Sequence, residues 1–370
     1  MARIAIVGGG VIGTMHALEA IRRGHDVIHL ERDAEPRKAS VRNFGLIWVS
    51  GRAPGRELEL ALRARERWAE IAQDVPAIGF RPDGSLTIAN RREELDVIEE
   101  LCGDENAAAR GVRVLTRAEV RARNRAVHGD VLGAMLCEKD AIVEPRSVLP
   151  AVRAFLASSA RYTFCPSRTV LEASEGFVRD HTGERHDADL VIVCAGADLT
   201  TLAASHFASA PLKRCRLQMF ETSPLMERVH TAIADGDSLR YYPAFRTPAA
   251  VRLPRADPIV ERFGMQLLVA QRDTGALTIG DTHAYDEPFD FWVEAAPYEH
   301  LIDRAESILA LKLPPIARWW AGVYTARTDD DDVWYHGDVE PGVITVTGLA
   351  GRGMTLSPAV AEVTLDRVGL

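Results

Sequence analysis

The sequence predicts a mixed architecture, α/β plus α+β, in which a parallel-sheet domain is interleaved with a second domain built on a mostly antiparallel sheet. Three observations lead there. An apolar run near the N-terminus passes directly into Gly8-Gly9-Gly10-Val11-Ile12-Gly13. Two further strand-like segments ending in small residues follow much later, and strand patterns fill the intervals between them. At 370 residues the chain also exceeds the size at which one core usually stops growing, so two domains are the default.

The elements can be justified in order. Ile4-Ala5-Ile6-Val7 is apolar throughout, as a parallel strand buried on both faces requires. Gly8, Gly10 and Gly13 then satisfy GxGxxG, with Val11 and Ile12 opening the next helix. The first glycine permits a tight turn, the second lets the backbone approach a pyrophosphate, and the third lets helix and strand pack closely. Thr14 to Arg23 reads as a helix ending at Gly24, its N-terminal amides aimed at the phosphates. A second strand, His25 to Glu31, ends in an acid 18 residues after Gly13, placed for ribose hydroxyls and hostile to a 2′-phosphate. Arg32 follows it. Together these predict a Rossmann-type dinucleotide site.

Two distant segments separate FAD from NAD, because a plain nicotinamide dehydrogenase needs neither. One is the apolar strand Ala188 to Ala197, breaking at Ala195 and Gly196. The other runs from Gly342 through Gly348-Leu349-Ala350-Gly351-Arg352-Gly353-Met354 into a helical stretch from Leu356 to Arg367. With these segments the chain resembles the D-amino-acid oxidase superfamily of flavoproteins, particularly its glycine oxidase and sarcosine oxidase group, over nearly its whole length. The resemblance implies that the N-terminal motif holds the ADP half of FAD, and that Val170, Ala195, Gly196, Gly351, Arg352, Gly353, Met354 and Thr355 contact the cofactor. It also implies that the loop at 38 to 48 runs beside pyrophosphate and flavin, where Ser40 and Asn43 would donate to phosphate and Arg42 would serve phosphate or substrate.

The rest is of α+β texture. A helix is expected over Glu57 to Ile71, a hairpin with a Pro-Asp-Gly turn over 79 to 89, charged helices over 91 to 123 and a strand over Val131 to Cys137. A helix over Ser147 to Ala157 returns the chain to the cofactor side, and strands recur over Leu212 to Phe220 and Met265 to Ile279. The expected division is discontinuous: 1–78, 141–210 and 315–370 for FAD, with 79–140 and 211–314 forming the substrate domain that roofs the flavin. The acidic run Asp329 to Asp332 reads as a solvated loop.

A net charge of −9 opposes non-specific attraction to nucleic acid or anionic membrane, and no segment approaches the roughly 20 apolar residues of a membrane span. The five scattered cysteines lack metal-ligand spacing, so no metal is expected and a reducing cytoplasm fits.

Chemistry of the resembled kind oxidises an amine at the carbon next to nitrogen, with hydride passing to flavin and the imine hydrolysed by water. No catalytic triad is needed, and the informative residues are those that grip the substrate. Glycine oxidase-like chains carry a carboxylate-binding arginine in a Gly-Leu-Arg-Pro type segment, whereas this chain reads Gly322-Val323-Tyr324-Thr325. Sarcosine oxidase-like chains attach flavin through a cysteine and bind carboxylate through a lysine; Gly322 and Thr355 match those positions, implying non-covalent FAD. Their oxygen-activating lysine falls near Thr278, which leaves O2 or another electron acceptor open. Candidate substrate residues are therefore Arg42, Trp48, Arg240, Tyr242, His283 and Tyr324, with Arg42 and Arg240 clamping an anion. Ser40 to Gly45, Gly322 to Thr325 and Gly351 to Thr355 resemble a narrower branch associated with 2-aminoethylphosphonate catabolism. That implies oxidative N-dealkylation of an N-alkylated aminophosphonate. The alternatives are a glycine, sarcosine or D-amino-acid oxidase or dehydrogenase, and a flavin-bearing electron-transfer subunit.

Overall fold

The computed structural model describes residues 1–370, and its N-terminal strand Arg3–Val7 lies inside a six-stranded sheet. The strand pairs in parallel with Asp26–Leu30 on one side and Leu190–Val193 on the other. Tyr162–Cys165 and Val343–Thr347 continue the two flanks in parallel, and Tyr335–Glu340 adds an antiparallel edge. Ile4, Ala5 and Ile6 are fully buried. Ile4 and Ile6 face the layer of helices Val11–Arg22, Arg56–Asp74 and Gly353–Arg367, while Ala5 faces a small sheet containing Val170–Ser174 and Phe177–Asp180. Burial on both faces is why this strand is continuously apolar.

The second sheet has eight strands. In spatial order they are Ile316–Arg327, Leu212–Thr222, Leu277–Gly280, Leu268–Gln271, Ala232–Ala234, Ser85–Ala89, Gly133–Cys137 and Val112–Thr116. Every neighbouring pair is antiparallel except Ala232–Ala234 with Ser85–Ala89. Side chains alternate between its faces. Phe220, Val269, Leu277 and Ile279 pack on the helix Ala296–Leu309, whereas Cys215, Leu217, Met219 and Leu268 share the opposite face with Phe44, Trp48, Tyr242 and Tyr324. No helix is long and apolar enough to cross a membrane, and all five cysteines are free thiols.

Three sequence expectations need correction. Residues 79 to 89 do not form a hairpin: Arg81 bridges Ile142, and Ser85–Ala89 instead lies between Gly133–Cys137 and Ala232–Ala234. Long-range pairing outcompeted the local turn. The charged stretch 91 to 123 is not all helical, because Val112–Thr116 forms the edge strand between helices Arg92–Cys102 and Arg117–Arg123. The return to the cofactor sheet comes later than residue 315, since Ile316–Arg327 pairs along its length with Leu212–Thr222.

The segment from Phe44 to Arg52 passes between the two sheets and is tied down by buried polar side chains. Asp140 accepts from the Val49 amide at 2.5 Å, the Ser50 amide at 3.0 Å and the Ser85 hydroxyl at 2.6 Å. The fully buried Arg110 donates to the carbonyls of Val49, Ser50 and Arg52 at 3.1, 3.1 and 2.8 Å. Arg272 donates to Phe44 at 2.7 Å and Val143 at 3.3 Å, and burial pulls its guanidinium down to about 10.

Trp68 anchors the helical layer. It is fully buried, and its indole N–H reaches the carbonyls of Met354 at 3.0 Å and Thr355 at 3.1 Å at the start of the C-terminal helix. Replacing a buried tryptophan by alanine typically costs about 3–5 kcal/mol. Trp68→Ala should lower stability by that order in urea unfolding and weaken flavin retention, because Met354 and Thr355 line the cleft. Unfolding midpoint and bound-flavin content would both be measured, and an unchanged flavin content would contradict the second half.

Candidate active site

A cleft of about 1150 Å³ runs from the glycine-rich turn, along the first helix, to the face of the eight-stranded sheet. At its first end Gly8 has φ +109°, and a Cβ there would stand 2.3 Å from the carbonyl oxygen of Cys194. A Cβ on Gly13 would stand 2.0 Å from the Gly8 carbonyl oxygen. These two positions are closed to side chains by the protein's own backbone. Gly13 itself lies behind the cleft wall, whereas Gly8, Gly10, Val11 and Ile12 line it. The helix that follows has no cap from its own N-cap residue and no acid in its first turn, so its positive dipole end is turned to the cleft. The Ser40 hydroxyl accepts from the Val11 amide at 2.9 Å and keeps its own hydrogen for a ligand.

Glu31 accepts from the Gly9 amide at 2.5 Å and the Asp33 amide at 2.8 Å, at the end of the second strand. Arg32 pairs with Asp198 at 2.5 Å. Gly196, at φ +61°, has its carbonyl held by the hydroxyls of Thr325 and Thr347, both at 2.8 Å. No protein atom lies within 4 Å of a Cβ built on Gly196 or Gly353. Open space there leaves room for a ligand to approach main chain. Val170, Ala195, Gly351, Arg352, Met354 and Thr355 also line the cleft, and the C-terminal helix again lacks a cap and an acidic first turn. A glycine cradle, two helix N-termini and an acid at the second strand's end fit FAD in chemistry and length.

The other end is aromatic. Trp48, Tyr241, Tyr242, His283 and Tyr324 line it. Tyr241 stacks on His283 at 4.5 Å and meets Tyr242 edge-on at 5.0 Å, and Trp48 lies 6.0 Å from Tyr242. Burial holds the hydroxyls of Tyr241, Tyr242 and Tyr324 well above the ordinary phenol range. Three buried polar atoms in this wall have no partner: Trp48 Nε1, the Tyr324 hydroxyl and Asp281 Oδ1. A ligand in the cleft would supply these atoms with partners.

The cationic part of the wall lies between. Arg52 and Arg352 both reach Glu57 Oε1, at 3.5 and 2.9 Å. One carboxylate shared by two guanidiniums leaves this wall with uncompensated positive charge. At the mouth, Asp329 to Asp332 border the cleft, with Asp329 and Asp331 paired to Arg327 and Asp332 to Arg56, so this run is more than a solvated loop.

Some expected residues are placed differently from their assigned tasks. Arg240 is not on the cleft: in the short helix Ser238–Tyr241 it pairs with Asp237 at 2.9 Å and donates to the Pro254 carbonyl. Both amide hydrogens of Asn43 are taken by the carbonyls of Ala39 and Ser40 at 2.9 Å, leaving none for phosphate. Arg42 lines the cleft with Nη1 on the Ala321 carbonyl at 2.8 Å. The Thr355 hydroxyl is spent on Trp48 N and Leu46 O. Thr278 is buried in its strand off the cleft, and the lysines that border the cleft are Lys38 and Lys213. Sequence reading did not single out Arg52, Tyr241 or Asp281; the last two lie within the candidate segments 238–243 and 280–283, but nothing in the local pattern marks them as lining the cleft.

A protein-family model described as FAD dependent oxidoreductase matches residues 3–367. One of the opine oxidase subunits of Agrobacterium tumefaciens (strain Ach5) is 25% identical over 383 residues, covering 99% of this chain and 92% of its own. Glycine oxidase of Geobacillus kaustophilus (strain HTA426) is 27% identical over 386 residues, with 99% and 92% covered. The crystal structure of glycine oxidase from Bacillus cereus ATCC 14579 superposes with a TM-score of 0.79 at 21% identity, covering 100% of this chain and 95% of that one.

The phosphate-facing turn contains an acid-sensitive element. His29 is fully buried, with Nε2 3.1 Å from the Gly8 carbonyl and Nδ1 3.0 Å from the Tyr162 hydroxyl. A carbonyl only accepts, so Nε2 carries the hydrogen. Burial, with Arg153 nearby, lowers this histidine to about 3, and burial lowers His16 to about 4. Both folded values lie below the unfolded value, so their stabilisation is present above pH ~6.5 and lost as pH falls toward 4, by up to about 1.4 kcal/mol per pH unit for each. Melting temperature and free-flavin fluorescence measured from pH 7.5 to 4 should show destabilisation and FAD release in that window. A flat melting temperature would contradict it.

Proposed function

The chain belongs to the FAD dependent oxidoreductase family, and on that premise we propose that it oxidises a small amine bearing an anionic group, at the carbon next to nitrogen. Bound FAD would supply the two-electron acceptor for hydride leaving that carbon. The chain's own residues bind and orient. The observation that carries the anionic part is the shared Glu57: Arg52 and Arg352 line the cleft with one carboxylate between them, so an anion restores the balance. Trp48 and Tyr324 add neutral donors in the adjoining aromatic wall. Aromatic burial keeps water from the reacting carbon.

The finer reading is oxidative N-dealkylation of an N-alkylated aminophosphonate such as N-methyl-2-aminoethylphosphonate. Tyr324 supports it by standing where the resemblance leads one to expect a carboxylate-binding arginine. A phosphonate offers three oxygens to donors spread over separate elements, whereas a carboxylate suits one bidentate guanidinium. With water, the methylated substrate would give 2-aminoethylphosphonate and formaldehyde, its two electrons passing to flavin. A second reading, oxidation of glycine or sarcosine, is favoured by the relative named glycine oxidase. Two relatives, each named as one subunit of an opine oxidase, favour association with a partner chain.

Anaerobic titration of the purified yellow protein tests these readings. N-methyl-2-aminoethylphosphonate should bleach the flavin at concentrations at least tenfold below those at which sarcosine does. Bleaching by sarcosine alone would overturn the phosphonate reading, and no bleaching by any small amine would overturn amine oxidation.

Two variants separate the wall from its surroundings. Tyr324→Phe removes one neutral hydrogen bond of about 1 kcal/mol, and should raise the substrate Kd about fivefold. Arg240→Ala should leave Kd and reduction rate within twofold of wild type. A large loss in Arg240→Ala would show that this arginine reaches the substrate after all.

A further inference from the structure

Asp281 is the charge in the aromatic wall that nothing in the protein balances. It follows the strand Leu277–Gly280, and its amide and carbonyl are both paired with Gln266, at 2.9 and 3.3 Å, so its backbone cannot swing away. The residue is 5% exposed, lines the cleft, and leaves Oδ1 buried without a partner. Its Oδ2 lies 3.7 Å from His283 Nε2. His283 Nδ1 lies 2.7 Å from the Gly264 carbonyl, which can only accept; Nδ1 therefore carries the hydrogen and Nε2 is free to take one.

The other groups facing Asp281 come from every element around it. Gln266 lies alongside, Tyr241 and Tyr242 stand at the end of the short helix, Cys215 and Tyr324 lie on the two long strands, and Tyr285 follows in its own segment. Burial pushes the Cys215 thiol up to about 11 and the Tyr285 hydroxyl up to about 12, so neither is ionised near neutrality. No arginine or lysine stands within ion-pair distance of Asp281, and the residue borders the cleft beside Gln266. An uncompensated buried carboxylate is costly, and the natural complement is a cation that arrives with the ligand.

Resting on the amine-oxidation reading, we propose that Asp281 receives the proton that converts the bound substrate's ammonium into the neutral amine. An N–H bond of the substrate breaks, an O–H bond forms at Oδ1, and no electrons change hands. Burial drives the step from both sides, because a dry site disfavours carboxylate and ammonium alike and so favours the neutral pair. Burial indeed holds the Asp281 carboxyl above the usual range. The neutral amine keeps its lone pair, which assists departure of hydride from the neighbouring carbon. Asp281 is then a catalytic residue that also selects for amines with a removable proton.

The test is the pH dependence of anaerobic flavin reduction by subsaturating N-methyl-2-aminoethylphosphonate, from pH 6 to 11, in wild type and Asp281→Asn. Wild type should already react in the neutral range, where the free substrate is protonated. Asp281→Asn should lose more than tenfold there, recover as pH approaches the substrate's own pKa, and retain its flavin. Coincident profiles for the two proteins would overturn the proposal. Binding of the N,N,N-trimethyl analogue to wild type, followed by the flavin difference spectrum, needs no variant. This cation has no proton to give, so its Kd should tighten at least tenfold as rising pH ionises Asp281, and a pH-independent Kd would overturn the contact. If no amine reduces wild-type flavin, amine oxidation fails, and the trimethyl titration still decides whether Asp281 meets a cation.

Discussion

Everything in the cleft depends on how the chain is held between Phe44 and Arg52. This segment carries Trp48 and Arg52 into the space between the sheets, and it has almost no regular structure of its own beyond the two residues Leu46–Ile47 paired with Ala141–Ile142. Its main chain would be buried without partners if Asp140 did not accept two of its amides and Arg110 three of its carbonyls. A buried carboxylate and a buried guanidinium are each costly alone. Here each is hydrogen-bonded by the same stretch of backbone, so removing either partner strands the other groups. Ser85, bonded to Asp140, carries the tie into the eight-stranded sheet, and Arg272 adds a third cross-link at Phe44.

That restraint sets the electrical profile of the cleft. One end presents backbone amides and two helix N-termini, a field that suits phosphates and needs no charged side chain. The middle carries Arg52 and Arg352 around a single carboxylate. The far end is aromatic and contains Asp281. Arg52 owes its position to the tied segment: Nε donates to the Trp48 carbonyl at 2.8 Å, and Arg110 holds its own carbonyl. A shift of this loop would move the cationic and aromatic walls together.

Likeness to glycine oxidase at 27% identity or below is compatible with this division. Positions that must be glycine for backbone contact, such as Gly8 and Gly13, are dictated by atoms 2.0–2.3 Å from where a Cβ would sit. Wall residues such as Tyr324 and Asp281 are fixed instead by side-chain packing around the cleft.

The cofactor end is legible in the order of residues alone. Strand, GxGxxG, helix and a second strand ending in Glu31 are local in sequence, because the dinucleotide is read by backbone geometry that 31 residues can encode. The tripartite pattern and the family resemblance extended this to FAD. The substrate end took its character only on folding. Arg240 and Arg52 look alike as letters, yet Asp237 three residues away holds one off the cleft while Trp48 and Glu57 hold the other on it. Ser85–Ala89 found its partners 48 and 147 residues away rather than across the adjacent turn. Asp281 reads like a surface acid until three elements close over it. Charge at a site is a sum over neighbours distant in sequence, and only the folded chain brings those neighbours together.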